Sequence, residues 1–198
     1  MMSTSGRIVA VTAALATAVV VSSCTKTEDH DHAGHDHGTT TSETVAAHNS
    51  DDVMFAQMMI PHHQQAVELA ALVPAHTANK ELLALATKIS GEQQPEINAM
   101  KALLLQWDVD PNAMGDDHME MSMQGMVDDA TMSKLGSLKG PEFDTLWLQS
   151  MIGHHQGAID MATDEIAKGQ STDMKAMAQA MVTAQQAEID QMKQMLGG

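Results

Sequence analysis

The chain has 198 residues, 43% of them apolar, which suits one or two small domains. Its 26 acidic residues against 10 basic ones give a net charge of −16, which argues against binding a phosphate backbone. Phe55, Trp107, Phe143 and Trp147 are the whole aromatic complement, too few for a base-stacking surface, and a lone Cys excludes an intramolecular disulfide. The residues in excess are 19 Met and 11 His, and the functional question is whether they fill a core or bind metal.

The first element is an address. Arg7 is the sole charge before an apolar run from Ile8 to Val21, which is short for a membrane span and ends in Val21-Ser22-Ser23-Cys24. This order of basic, apolar and small residues predicts a leader over residues 1–23. A Cys at its end resembles a bacterial lipobox, which implies cleavage before Cys24 and acylation of its thiol, anchoring the chain on the outer face of a bacterial membrane. Loss of Arg7 with the leader takes the net charge from −16 to about −17. With the thiol blocked, Cys catalysis, zinc–thiolate sites and blue-copper ligation are excluded.

Residues 24–50 form a polar tail of Thr, Asp and Gly that is expected to be disordered. Within it, His30, His32, His35 and His37 alternate with Asp, a pattern able to wrap Cu(II), Zn(II) or Ni(II); the rival reading is a solvated linker.

Residues 51–198 repeat with an offset of 92. Asp52-Val-Met-Phe55-Ala-Gln-Met-Met59-Ile60-Pro61-His62-His63-Gln64 aligns with Asp144-Thr-Leu-Trp147-Leu-Gln-Ser-Met151-Ile152-Gly153-His154-His155-Gln156. Gln93-Gln94-Pro95-Glu96-Ile97-Asn98-Ala99-Met100 aligns with Gln185-Gln186-Ala187-Glu188-Ile189-Asp190-Gln191-Met192 without a gap. Each copy carries three-to-four spacing of apolar residues over two segments, which predicts a helical hairpin. Asn79 or Thr77 caps the second helix, Pro141 and Glu142 open the third, Gly169 closes it, and Thr172 to Leu196 make the fourth. No stretch alternates with period two. Two duplicated hairpins predict an all-α, ferritin-like four-helix bundle.

Between the copies, residues 108–140 hold Met114, His118, Met119, Met121, Met123, Met126 and Met132 among Asp, Gly and Ser. The segment is too polar for a core helix and long for an idle connection. Met119, Met121, Met123 and Met126 are candidates for capture of a soft metal, against a reading as a sticky loop on the bundle.

The chemistry centres on His62-His63 and His154-His155. Adjacent helical positions diverge by about 100°, so one ring of each pair faces the interior while the other faces a rim or neighbouring helix. Residues at i and i+4 share a face, which groups Met59 with His63, Met151 with His155, Glu96 with Met100 and Glu188 with Met192. Met58 shares a face with His62, a coupling that Ser150 breaks in the second copy. A helix offering Met and His beside one offering Glu and Met makes a cage of soft and borderline donors that suits copper, Cu(I) above all. Glu96 and Glu188 serve as ligands or orient one, or are solvated faces; Met161, Met177 and Met181 read as core. Pro61 and Gly153, each just before a His pair, are poor helix residues and predict local distortion there.

At Met59-Ile60-Pro61-His62-His63-Gln64, Met151-Ile152-Gly153-His154-His155-Gln156-Gly-Ala158 and Gln185-x2-Glu188-Ile189-x2-Met192 the chain resembles the domain-of-unknown-function family numbered 305 (DUF305), bacterial secreted proteins that include CopM-like periplasmic copper-binding members. Met123-Gln-Gly-Met126 with Met132 and Leu135 resembles that family's signature between repeats. The resemblance implies a ferritin-like bundle and copper handling at these His and Met positions. Leu69 departs from the Met often found there in the family, which Met161 keeps in the second copy. The expected protein is a lipid-anchored copper binder that sequesters or hands on the ion without turnover. Its partners are metal ions, the membrane through its anchor and a copper-handling protein. The alternatives are a cuprous oxidase and a structural lipoprotein; a di-iron site is disfavoured because no Glu has His three residues later.

Overall fold

The computed structural model describes residues 47–113 and 124–197. The leader, Cys24, His30, His32, His35 and His37 lie outside the described residues, as do Met114, His118, Met119, Met121 and Met123. The described residues contain five helices and no strand: α1 Ser50–His76, α2 Lys80–Gln106, α3 Asp129–Ser137, α4 Gly140–Lys168 and α5 Thr172–Met195.

Local chemistry sets the helix starts. Asn49 caps α1 by accepting from the Asp51 and Asp52 amides, while Asp52 reaches back to the Asn49 N–H at 2.6 Å, a reciprocal capping box. Asn79 caps α2 by accepting from Glu81 and Leu82, and Thr77 in turn accepts from the Asn79 N–H. Ser171 caps α5, and Pro141 sits in the first turn of α4, where its missing N–H costs no helical bond. The first helix begins at Ser50. The connection between the copies, expected to be too polar for a core helix, contains the short helix α3, capped by Asp128; only Leu135 of it is buried, which is how so polar a segment docks a helix.

The helical hairpins α1–α2 and α4–α5 pack on each other chiefly through α1 and α4. Trp147 donates from its indole nitrogen to the Leu69 carbonyl at 2.8 Å, and Asp52 accepts from the Gln170 and Ser171 amides, so each hairpin is tied to the other near its end. Helices α1 and α4 run unbroken through Pro61 and Gly153, so the expected distortion does not interrupt either helix.

The apolar core falls into two clusters. One holds Leu69, Val73, Leu82, Leu85, Ile89, Phe143, Trp147, Met151 and Met192; the other holds Phe55, Met59, Ile97, Met100, Leu104, Met161, Met174 and Met181. Every long helix contributes to both, and on every long helix buried polar residues separate the two contributions. These are His62 and His63 on α1, Gln93 on α2, His154 and His155 on α4, and Gln185 and Glu188 on α5. Burying polar groups costs free energy unless they are hydrogen-bonded. A polar layer across the middle of a bundle therefore needs a reason other than packing.

Candidate metal centre

The four imidazoles are all fully buried, and the repeat places them as related pairs. His62 packs against His154, its own mate in the second copy, with ring centroids 3.7 Å apart and planes inclined by 35°. Such a self-pairing contact is what a two-fold relation between the halves produces. The outer pair obeys the same relation: His63 Nε2 lies 2.7 Å from Glu96 Oε2, and His155 Nε2 lies 2.7 Å from Glu188 Oε2.

A carboxylate only accepts, so Nε2 of His63 and of His155 carries the proton in these bonds, and a neutral ring then leaves Nδ1 as a lone pair. Both of those Nδ1 atoms are buried without a hydrogen-bond partner, as are both nitrogens of His62 and of His154. Burial holds the His62 pKa down, to about 3, and the neighbouring imidazoles add to the effect; burial and His62 likewise hold His154 well below its ordinary value. Both rings are therefore neutral at pH 7, the form in which imidazole ligates metal. A ring that donates one nitrogen to a carboxylate and offers the other inward is the usual orientation device of metal-binding histidines.

The two Glu residues thus make equivalent contacts, each with the outer His of its own copy. They differ in surroundings. Glu188 is 2% exposed and also holds the Lys88 ammonium at 3.1 Å, whereas Glu96 is 24% exposed and has no second cation among its described partners. Burial opposes ionisation of Glu188, but the His155 hydrogen bond and Lys88 outweigh it and keep its carboxyl below the ordinary range. Met59 and Met100 flank the layer in one apolar cluster, and Met151 and Met192 flank it in the other, all fully buried. Met126 is half-buried in a shallow hollow with Gln149, Ser150 and Gly153. Among the described residues no three His, Cys, Asp or Glu side chains converge as a preformed cage. The donors are instead facing pairs, with thioethers on either side.

Two features escape sequence reading. Gln93 and Gln185 are repeat mates, both buried in the polar layer with unpartnered side-chain amides; their equal place in the repeat was the available signal. Gly157 allows the backbone of Gln124 and Gly125 to cross α4 directly beside the second His pair. A Cβ on Gly157 would meet the Gln124 carbonyl oxygen and lie 2.8 Å from Gly125 Cα, and Gly125 itself has φ +78°. Gln65 pins the same segment, donating to the Val127 carbonyl at 2.7 Å and accepting from its N–H at 2.8 Å.

Comparison with known proteins agrees with this architecture. No curated protein matches the chain. Among solved structures, a DUF305 protein of Streptomyces coelicolor described as secreted is 36% identical, with a TM-score of 0.70 over 75% of this chain and 93% of that one. A DUF305 fragment from Deinococcus radiodurans is 29% identical, with a TM-score of 0.67 over 75% and 97%. CopM in its Cu(I)-bound form is 30% identical, with a TM-score of 0.61 over 72% and 93%, and CopM has also been solved with Cu(II) and with Ag. The family described as "Domain of unknown function (DUF305)" matches residues 52–196, so the chain belongs to the DUF305 family.

Proposed function

We propose that this protein binds copper stoichiometrically outside the cytoplasm, held at the membrane by a lipid on Cys24, and sequesters the ion or passes it to a copper-handling partner. The observation that carries the reading is the buried layer of four imidazoles. Six of their eight ring nitrogens have no hydrogen-bond partner, and the other two are oriented by Glu96 and Glu188. Imidazole suits copper in either oxidation state, and the flanking thioethers of Met59, Met100, Met151 and Met192 favour Cu(I). The similarity to CopM, solved with Cu(I) and with Cu(II), supports the choice of metal. Among the described residues no helix is long and apolar enough to cross a membrane, so attachment would rest on the leader and Cys24. In the same reading the His30–His37 tail takes Cu(II), zinc or nickel, and Met119, Met121, Met123 and Met126 take Cu(I). Catalytic turnover is not part of the proposal.

The test is titration of the purified mature protein with Cu(I) and Cu(II) under competition by a calibrated chelator. The expected result is binding tighter than micromolar that weakens on replacing His63 and His155 with Ala. Binding no tighter than micromolar would overturn the proposal.

A further inference from the structure

The two-fold relation between the copies also breaks down at the start of α1. A cavity of about 270 Å³ opens between the start of α1 and the end of α4, lined by Asp51, Met54, Met58, Met161, Asp164 and Glu165 among others. The repeat mates of Asp51, Met54, Met58, Met161, Asp164 and Glu165 are Phe143, Leu146, Ser150, Leu69, Leu72 and Val73. At the symmetry-related position, between the start of α4 and the end of α1, the space is filled with core: Phe143, Leu69 and Val73 are fully buried there and Trp147 closes over Leu69. The cavity between the start of α1 and the end of α4 instead carries three thioethers and four carboxyls, Asp160 being the fourth, around open space.

Glu165 makes the cavity more than an acidic surface. It is 2% exposed and lines the cavity, with Asp52 beside it and no cation or backbone donor on its carboxyl oxygens. Burial and the adjacent Asp52 push its pKa up to about 8. Of the cavity's lining, Lys168 is the single cation, and it is bound to Asp164 at 2.8 Å. Thioether sulfur discriminates in favour of soft ions, while the surrounding carboxylates raise the local concentration of any cation. Met58 stands one turn from His62 on the same helix, so the cavity adjoins the imidazole layer without sharing its ligands.

From this geometry we propose that the cavity is a second, separate site for a soft monovalent cation, Cu(I), ligated by Met54, Met58 and Met161 with a carboxyl oxygen of Glu165. It does not depend on copper binding by the histidines.

Ag(I) is the probe, being a soft monovalent ion with no accessible redox step in water. The full mature protein is labelled with [13C-methyl]Met and titrated at pH 7, alongside the Met54→Leu/Met58→Leu/Met161→Leu variant and a His62→Leu/His154→Leu variant. The expected result is loss of one Ag(I) equivalent in the triple Met variant and retention of that equivalent in the His variant. The methyl signals of Met54, Met58 and Met161 in the unsubstituted protein should shift together at that equivalent. An unchanged stoichiometry in a folded triple variant would overturn the proposal. So would methyl signals that stay fixed through saturation, and that readout needs no substitution. Failure of the histidine reading is distinct, because it leaves the methyl shifts in place and removes only the binding lost in the His variant.

Discussion

His62 and His154 face each other at 3.7 Å between ring centroids, each the repeat mate of the other, and none of their four nitrogens makes a hydrogen bond. A buried polar atom without a partner costs about 1–3 kcal/mol. The metal-free fold therefore carries a standing penalty at its centre, which an ion able to accept those lone pairs would relieve.

Replacing both residues with Leu should raise metal-free stability by about 1–3 kcal/mol and abolish the rise in melting temperature that copper produces. Thermal unfolding with and without copper checks both halves. A double Leu variant that is less stable than the parent without metal would mean that the rings are satisfied in a way the geometry does not indicate.

Acid should unfold the metal-free protein through the same rings. An unfolded His titrates near its model value of 6.5, whereas folded His62 titrates at about 3 and folded His154 well below 6.5. Between these values the unfolded chain holds more protons, so stability falls as pH drops from about 6.5 toward 3, by up to about 1.4 kcal/mol per unit for each ring. Denaturant midpoints at pH 7, 5 and 4 should decline steeply in the parent and less in the double Leu variant.

Glu165 should act with the opposite sign. Its pKa rises from the model value of 4.5 to about 8, so the folded state holds the extra proton in that window and stability from this group is lost as pH rises through it. Glu165→Gln should therefore gain about 1–2 kcal/mol over the parent at pH 8 and almost nothing at pH 4. Unfolding curves at the two pH values decide; a gain that does not change with pH would remove the titration argument.

Glu96 and Glu188 should separate affinity from stability. Glu96→Gln and Glu188→Gln are each expected to weaken copper affinity by about 10–100-fold through loss of ring orientation. Glu188→Ala should cost about 3 kcal/mol of stability, because it strips both His155 and Lys88 of a partner that is 2% exposed, and Glu96→Ala nearer 1 kcal/mol. Chelator competition and chemical denaturation read the two effects independently.

Gly157 and Gly153 form a matched pair. A Cβ on Gly157 lies 2.8 Å from Gly125 Cα, so Gly157→Ala must displace backbone and should cost about 1–3 kcal/mol. A Cβ on Gly153 meets nothing within 4 Å, and Gly153→Ala should stabilise α4 by about 1 kcal/mol through helix propensity alone. Equal effects from the two substitutions would show that the loop does not rest on Gly157.

The helices were legible because apolar spacing and capping residues act within a few positions of one another, as Asn49, Asn79 and Pro141 do. The convergence of the four buried imidazoles was legible because duplication wrote their positions twice. What a Glu touches was harder to read: the pairing of Glu96 with His63 depends on how two helices align across 33 residues, and i,i+4 spacing within one helix does not set that register. The crossing at Gly157 depends on a segment 32 positions away, and α3 was hidden because a helix that buries only Leu135 has almost no apolar period. The cavity was not legible for another reason: it lies where the copies differ, so no repeated pattern marks it.

The contact between His62 and His154 also says how the centre comes into being. An axis that passes between a residue and its own mate divides the centre equally, so a single hairpin owns only half a site and the whole exists only when the halves have docked. Under the copper reading proposed above, metal affinity and hairpin docking would be linked equilibria: an ion held at the interface would clamp the two halves together, and loosening their association would release it. Joining both hairpins in one chain makes their encounter independent of protein concentration.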